Sequence, residues 1–110
     1  MEIVQHTNAD ITILVLKGRL DVTTTPMLEA KFDAVFASGA KKILIDCTEL
    51  DYISSAGLRA LLTAAKTAKK TNGRIVLASL NKNVKQIFEI SGFTSIFDVY
   101  ESGQSAISSF

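Results

Sequence analysis

The chain has 110 residues, 47% of them hydrophobic and 21% charged, a balance that excludes a disordered segment and fits one domain. Its core must be aliphatic, because Trp is absent and aromatic residues make up only 7%. Lys and Arg number 12 against 11 Asp and Glu, a formal net charge of +1 that leaves no electrostatic footprint for nucleic acid.

Glu2–His6 and Ile11–Lys17 read as two strands joined by the turn Thr7-Asn8-Ala9-Asp10, an antiparallel hairpin. Ile11 to Leu16 is nearly continuous apolar, as expected of a strand covered on both faces, and Gly18 is expected to end it. A loop from Arg19 to Thr24 leads into a first helix, with Thr25 as its cap, Pro26 at the first helical position and Glu29 in the first turn. Leu28, Phe32, Val35 and Phe36 form the inner face of that helix, and Ser38-Gly39 closes it.

Lys42–Cys47 is the predicted third strand, followed by a polar turn and a helix from about Ala56 to Thr71, stopped by Asn72-Gly73. Leu58, Leu61, Leu62, Ala65 and Ala68 give this helix one apolar stripe. Arg74–Leu80 is a fourth strand, and a helix from about Lys82 to Ser91 buries Val84, Ile87 and Phe88 before Gly92. Ile96–Tyr100 adds a short edge strand, and a weak helix follows Glu101, with Ile107 and Phe110 able to dock. Strands alternating with helices imply an α/β fold with a mixed, mostly parallel sheet of about four or five strands and about four helices. We expect a single domain over 1–110.

Enzyme constellations are weak. His6 is the single histidine and reads as a surface or edge residue. Neither a Gly-rich phosphate loop nor metal-ligand spacing is present, and Ser54-Ser55 lacks the G-x-S-x-G arrangement and a nearby base. No catalytic residue, cofactor or metal is therefore expected. Cys47 reads as a small buried thiol, and Lys41-Lys42 and Lys66, Lys69 and Lys70 as solvated charges. Met1 runs directly into Glu2 and a strand, so no signal peptide is expected, and no apolar run approaches the ~18–20 residues that span a bilayer. A cytoplasmic protein without membrane insertion is the expectation.

The informative stretch is Ile43 to Leu62, where two hydroxyls stand at a helix start. Such a hydroxyl faces unpaired N–H groups and the positive end of the helix dipole, so either serine can cap the helix and either can tolerate a phosphate. Asp21, Asp46 and Asp51 are acidic neighbours in sequence. If strands two and three are adjacent, Asp21, Asp46 and Ser55 should share the rim at the carboxyl ends of the strands. The alternative for Asp21 and Asp46 is local hydrogen bonding in turns.

Four blocks together resemble the STAS family, of the anti-sigma factor antagonist type. They are Gly18-Arg19-Leu20-Asp21, Ile45-Asp46 through Ser54-Ser55-Ala56-Gly57-Leu58, Gly73 to Leu77, and Val84 to Phe88 with Ser91-Gly92-Phe93. The resemblance implies a STAS-like domain whose Ser55, two places before the glycine, is phosphorylated by a partner that is both anti-sigma factor and GHKL-type serine kinase. The family most often has Asp before that serine. This chain has Ser54 there, which leaves Ser54 as the alternative acceptor. The implied partner surface comprises Asp21, Asp46, Ser54, Ser55, Ala56, Gly57 and Arg59, and a PP2C-type serine phosphatase would reset the switch. The expected molecule is a monomer or weak dimer with no direct nucleic-acid contact. Two rival readings are a constitutive docking subunit of a transport or signalling complex, and a small nucleotide or anion sensor.

Overall fold

In the central strands, apolar residues of alternating parity serve two different layers, which places the sheet in the middle of the molecule. The computed structural model describes residues 1–110, the side chain of Thr94 excepted. Its elements are β1 (Glu2–Asn8), β2 (Ile11–Leu20), α1 (Thr25–Ala37), β3 (Lys42–Ile53), α2 (Ser55–Lys70), β4 (Arg74–Ala78), α3 (Lys82–Ile90), a 3-10 turn (Phe93–Ser95), β5 (Asp98–Tyr100) and α4 (Gly103–Ser108). The five strands lie in sequence order, β1 antiparallel to β2 and every later neighbour parallel. This is the predicted α/β mixed sheet with its N-terminal hairpin.

On one face Leu14, Leu16, Ile43, Ile45, Ile75 and Leu77 meet Leu28, Phe32 and Val35 of α1, Leu58 and Leu61 of α2, and Val84 and Phe88 of α3. On the other, Ile11, Leu44, Val76 and Ala78 meet Ala106 of the short α4, with Ile13, Ile107 and Phe110 packed alongside. The strand Ile11 to Leu16 is thus covered on both faces, and Ile107 and Phe110 dock. Arg74 locks this second layer. Its guanidinium donates to Asp98 Oδ2 from Nε and Nη2 at 3.0 and 2.9 Å, to Tyr100 Oη at 3.0 Å, and from Nη1 to the Ser109 carbonyl and hydroxyl at 2.9 and 3.1 Å. All five N–H donors of the side chain are used.

Several boundaries differ from the sequence expectation. The hairpin turn is the residue pair Ala9-Asp10, because β1 runs on to Asn8, which pairs with Ile11. Gly18 does not end β2. It sits at φ +103° in a bulged stretch, a conformation that favours glycine, and the strand continues to Leu20. Strand β3 continues past Cys47 to Ile53, paired with β2 alone beyond Asp46, although Asn81 Nδ2 donates to its Leu50 carbonyl at 2.7 Å. With one edge open, Thr48, Glu49 and Asp51 reach solvent while Leu50 and Ile53 stay buried. Thr24, not Thr25, occupies the cap position of α1, and Thr25 is buried, its hydroxyl donating to the Asp21 carbonyl at 2.6 Å. A helix beginning at Thr25 leaves Glu29 beyond the first turn. Positive φ at Ser79 follows the end of β4 at Ala78, two residues before the predicted Leu80.

Candidate functional site

The site is the start of α2, where it leaves β3 beside the end of β2. Leu20 pairs with Ile53, and the Ser54 amide donates to the Leu20 carbonyl at 2.8 Å, tying the helix start to β2. The two serines then divide their roles. Ser54 is in extended conformation, and its Oγ accepts from the Gly57 amide at 3.2 Å, satisfying one of the orphan donors of the first turn. Ser55 is the first helical residue and is exposed, and among the described residues no hydrogen bond engages its hydroxyl. The α2 dipole places partial positive charge at this end, where an anion is stabilised.

Replacing Ser54 by Ala should cost about 1 kcal/mol of stability, the usual worth of such a cap, while Ser54→Asp retains it. Urea unfolding checks this. Equal midpoints for wild type and Ser54→Ala would show that the cap bond contributes nothing.

Gly57 fits under the helix because it lacks a Cβ. A Cβ there would lie 2.7 Å from Leu20 Cγ, 2.9 Å from Leu20 Cδ2 and 3.0 Å from Ile53 Cγ1. The chain at Ser54 to Gly57 is therefore pressed against the ends of both strands.

Asp21 does border this rim, directly after Leu20, but its carboxylate organises its own turn. Oδ1 accepts from the Thr23 hydroxyl at 2.7 Å and from the Thr23 and Thr24 amides at 3.0 and 3.2 Å. The Thr23 hydroxyl bond above all, joined by the two amide bonds, holds its pKa below the ordinary carboxylate value against an opposing desolvation. Arg19 Nε lies 4.0 Å from Asp21 Oδ2, and its guanidinium covers the Tyr52 ring at 4.3 Å.

Asp46 does not join them. It pairs with Val15 and Ala78, and the five steps of β2 from Val15 to Leu20 put it roughly 16 Å from the rim at about 3.3 Å per residue. Its Oδ1 accepts from the amide and hydroxyl of Thr48 at 3.0 and 2.6 Å. The expectation that Asp46 shares the rim fails because β3 runs on past it. Cys47, beside it, is fully buried, and burial pushes its thiol pKa up, so it is inert at neutral pH.

Ala56 and Arg59 complete the exposed turn, Ala56 half-buried and Arg59 exposed. Arg59 stands on a ridge between two grooves. One, of about 240 Å³, runs against α1 past Val22, Pro26 and Glu29. The other, of about 270 Å³, holds Ser55, Leu58, Leu62, Ser91 and Phe93. Val22 (72% exposed) and Met27 (48%) are bare apolar side chains near the first groove's end of α1. Sequence reasoning missed Val22, Met27 and Phe93. An apolar residue in the polar loop at Val22 was an available signal, whereas the approach of Phe93 depends on long-range packing.

No helix of the described residues is long and apolar enough to cross a membrane. The STAS domain model matches residues 2–106. A Bordetella bronchiseptica protein named as a candidate anti-sigma factor antagonist, BtrV, is 41% identical over 98 residues, 89% of this chain and 84% of that protein. A candidate anti-sigma factor antagonist of Thermotoga maritima superposes with a TM-score of 0.92 at 19% identity, covering 97% of this chain and 92% of that one. The Bacillus anti-sigma factor antagonist SpoIIAA superposes at 0.82 in its unphosphorylated form, with 20% identity and 96% and 93% covered. Its phosphorylated form superposes at 0.75, with 19% identity and 97% of each chain covered. With the match spanning nearly all of its length, the chain belongs to the STAS domain family.

Proposed function

We propose that this chain is an anti-sigma factor antagonist, a binding protein rather than an enzyme, acting in the cytoplasm as a phospho-switch. With Ser55 unmodified it docks on an anti-sigma factor that has GHKL-type serine kinase activity, and the sigma factor is freed, so transcription is regulated indirectly. One observation carries the choice of residue: Ser54 is committed to the helix cap, whereas the Ser55 hydroxyl is exposed and, among the described residues, unbonded. The names of the relatives support the function, and the two SpoIIAA structures, unphosphorylated and phosphorylated, support the switch.

In the transfer, Ser55 Oγ bonds to the γ-phosphorus of the kinase's ATP, the bond to the ADP oxygen breaks, and the hydroxyl proton passes to a kinase base. The kinase supplies nucleotide and Mg²⁺, and this chain supplies only the acceptor. A PP2C-type phosphatase restores the hydroxyl with water, releasing inorganic phosphate.

Intact-mass and peptide-mapping mass spectrometry of the chain from its native cells tests the reading. The expected result is a fraction heavier by one phosphoryl group, mapped to Ser55. A map to Ser54 would move the acceptor by one residue. Unmodified protein through growth and stress would favour a constitutive docking module instead.

A further inference from the structure

Four residues after Ser55, one turn along α2, stands Arg59, and side chains at that spacing lie on the same helix face. Both residues are exposed and both line the groove closed by Leu58, Leu62, Ser91 and Phe93. Among the described residues no hydrogen bond or ion pair engages the Arg59 guanidinium, although Glu29 lines the groove on its other side. The other nearby cation is already occupied, since Arg19 lies over Tyr52 and beside Asp21. Lys66, the next basic residue of α2, is 11 residues beyond Ser55, roughly 16 Å along the axis at about 1.5 Å per residue.

We propose that a phosphate on Ser55 is captured by Arg59 of the same helix, so that modification both adds an anion and withdraws a cation from the docking surface. The proposal rests on Ser55 being the acceptor. Guanidinium and phosphate form forked, charge-assisted hydrogen bonds, and an added group of about −1.5 to −2 charges outcompetes a groove that offers Arg59 no closed contact. A partner carboxylate that meets Arg59 on the unmodified protein would then face a phosphate and lose its counter-charge together. Phosphorylation becomes a reversal of local charge rather than a simple addition.

The test uses the full chain with phosphoserine genetically encoded at position 55, so its outcome does not depend on whether cells modify that residue. Phosphorus NMR follows the second ionisation of the phosphate, ordinarily near about 6, with Arg59 present and in Arg59→Gln. The helix dipole lowers this value equally in both proteins, so their difference isolates the guanidinium. The expected result is a proton affinity about threefold higher in Arg59→Gln, with the gap shrinking in high salt and partly restored in Arg59→Lys. Superimposable titrations with Arg59 present and in Arg59→Gln would overturn the capture. A map to Ser54 in native cells would instead overturn the acceptor assignment and leave this titration unaffected.

Discussion

Ser55→Asp should bind the cognate anti-sigma factor about 100-fold more weakly than Ser55→Ala. Both substitutions fall on an exposed side chain that makes no hydrogen bond among the described residues, and the cap on Ser54 is untouched, so neither should disturb the fold. A carboxylate in the first turn is even favoured by the helix dipole. The difference must come from the interface. One charge placed about 6 Å from a partner carboxylate costs roughly 2–3 kcal/mol at an effective dielectric near 20, and each 1.4 kcal/mol is about tenfold in affinity. Titration calorimetry at low and high salt measures it, and the gap should narrow as the Debye length shortens. Equal affinity of the two variants would remove the switch from this residue.

Gly57→Ala should lower stability by about 2 kcal/mol, although alanine is the better helix former. The propensity gain is at most about 1 kcal/mol and is smaller in a first turn. Against it stands a Cβ 2.7 Å from Leu20 Cγ and 3.0 Å from Ile53 Cγ1, with Leu20 0% and Ile53 1% exposed. Overpacking of this kind costs about 1–3 kcal/mol. Moving the helix to relieve it also pulls the Gly57 amide from Ser54 Oγ, and the cap goes with it. Thermal unfolding should show Tm lower by roughly 10 °C. Gly103→Ala is the control, because its Cβ would meet nothing within 4 Å. A Tm for Gly57→Ala equal to that of the control would mean that the strand ends yield freely.

The order and type of the elements were legible because apolar periodicity survives in each, from the alternation in β2 to β4 to the stripe of α2. The end of β3 was not. Thr48, Glu49 and Asp51 read as a turn, yet a strand bonded on one side can carry polar residues toward its open edge. The same misreading carried Asp46 to the rim. Thr25 read as the cap of α1, and only the fold of the Asp21 turn puts Thr24 there and buries Thr25. The division between Ser54 and Ser55 was likewise undecidable locally, since either hydroxyl could have met the Gly57 amide. The grooves beside Arg59 draw on α1 and on Phe93, partners too distant in the chain for any local pattern to announce.

Between Val15 and Leu20, β2 takes five steps while β3 takes seven from Asp46 to Ile53. The surplus is held as slack in two bulges, so the length of one segment can change without moving the serines along the other. Deleting one residue from Thr48–Asp51 would let the ladder heal by losing a bulge, at little loss of pairing. Because the lost bulge absorbs the missing residue, Ile53 would stay opposite Leu20 and the helix start would keep its place. Changes of length in this stretch would thus be absorbed before they reach the docking surface, and its serines would hold their position.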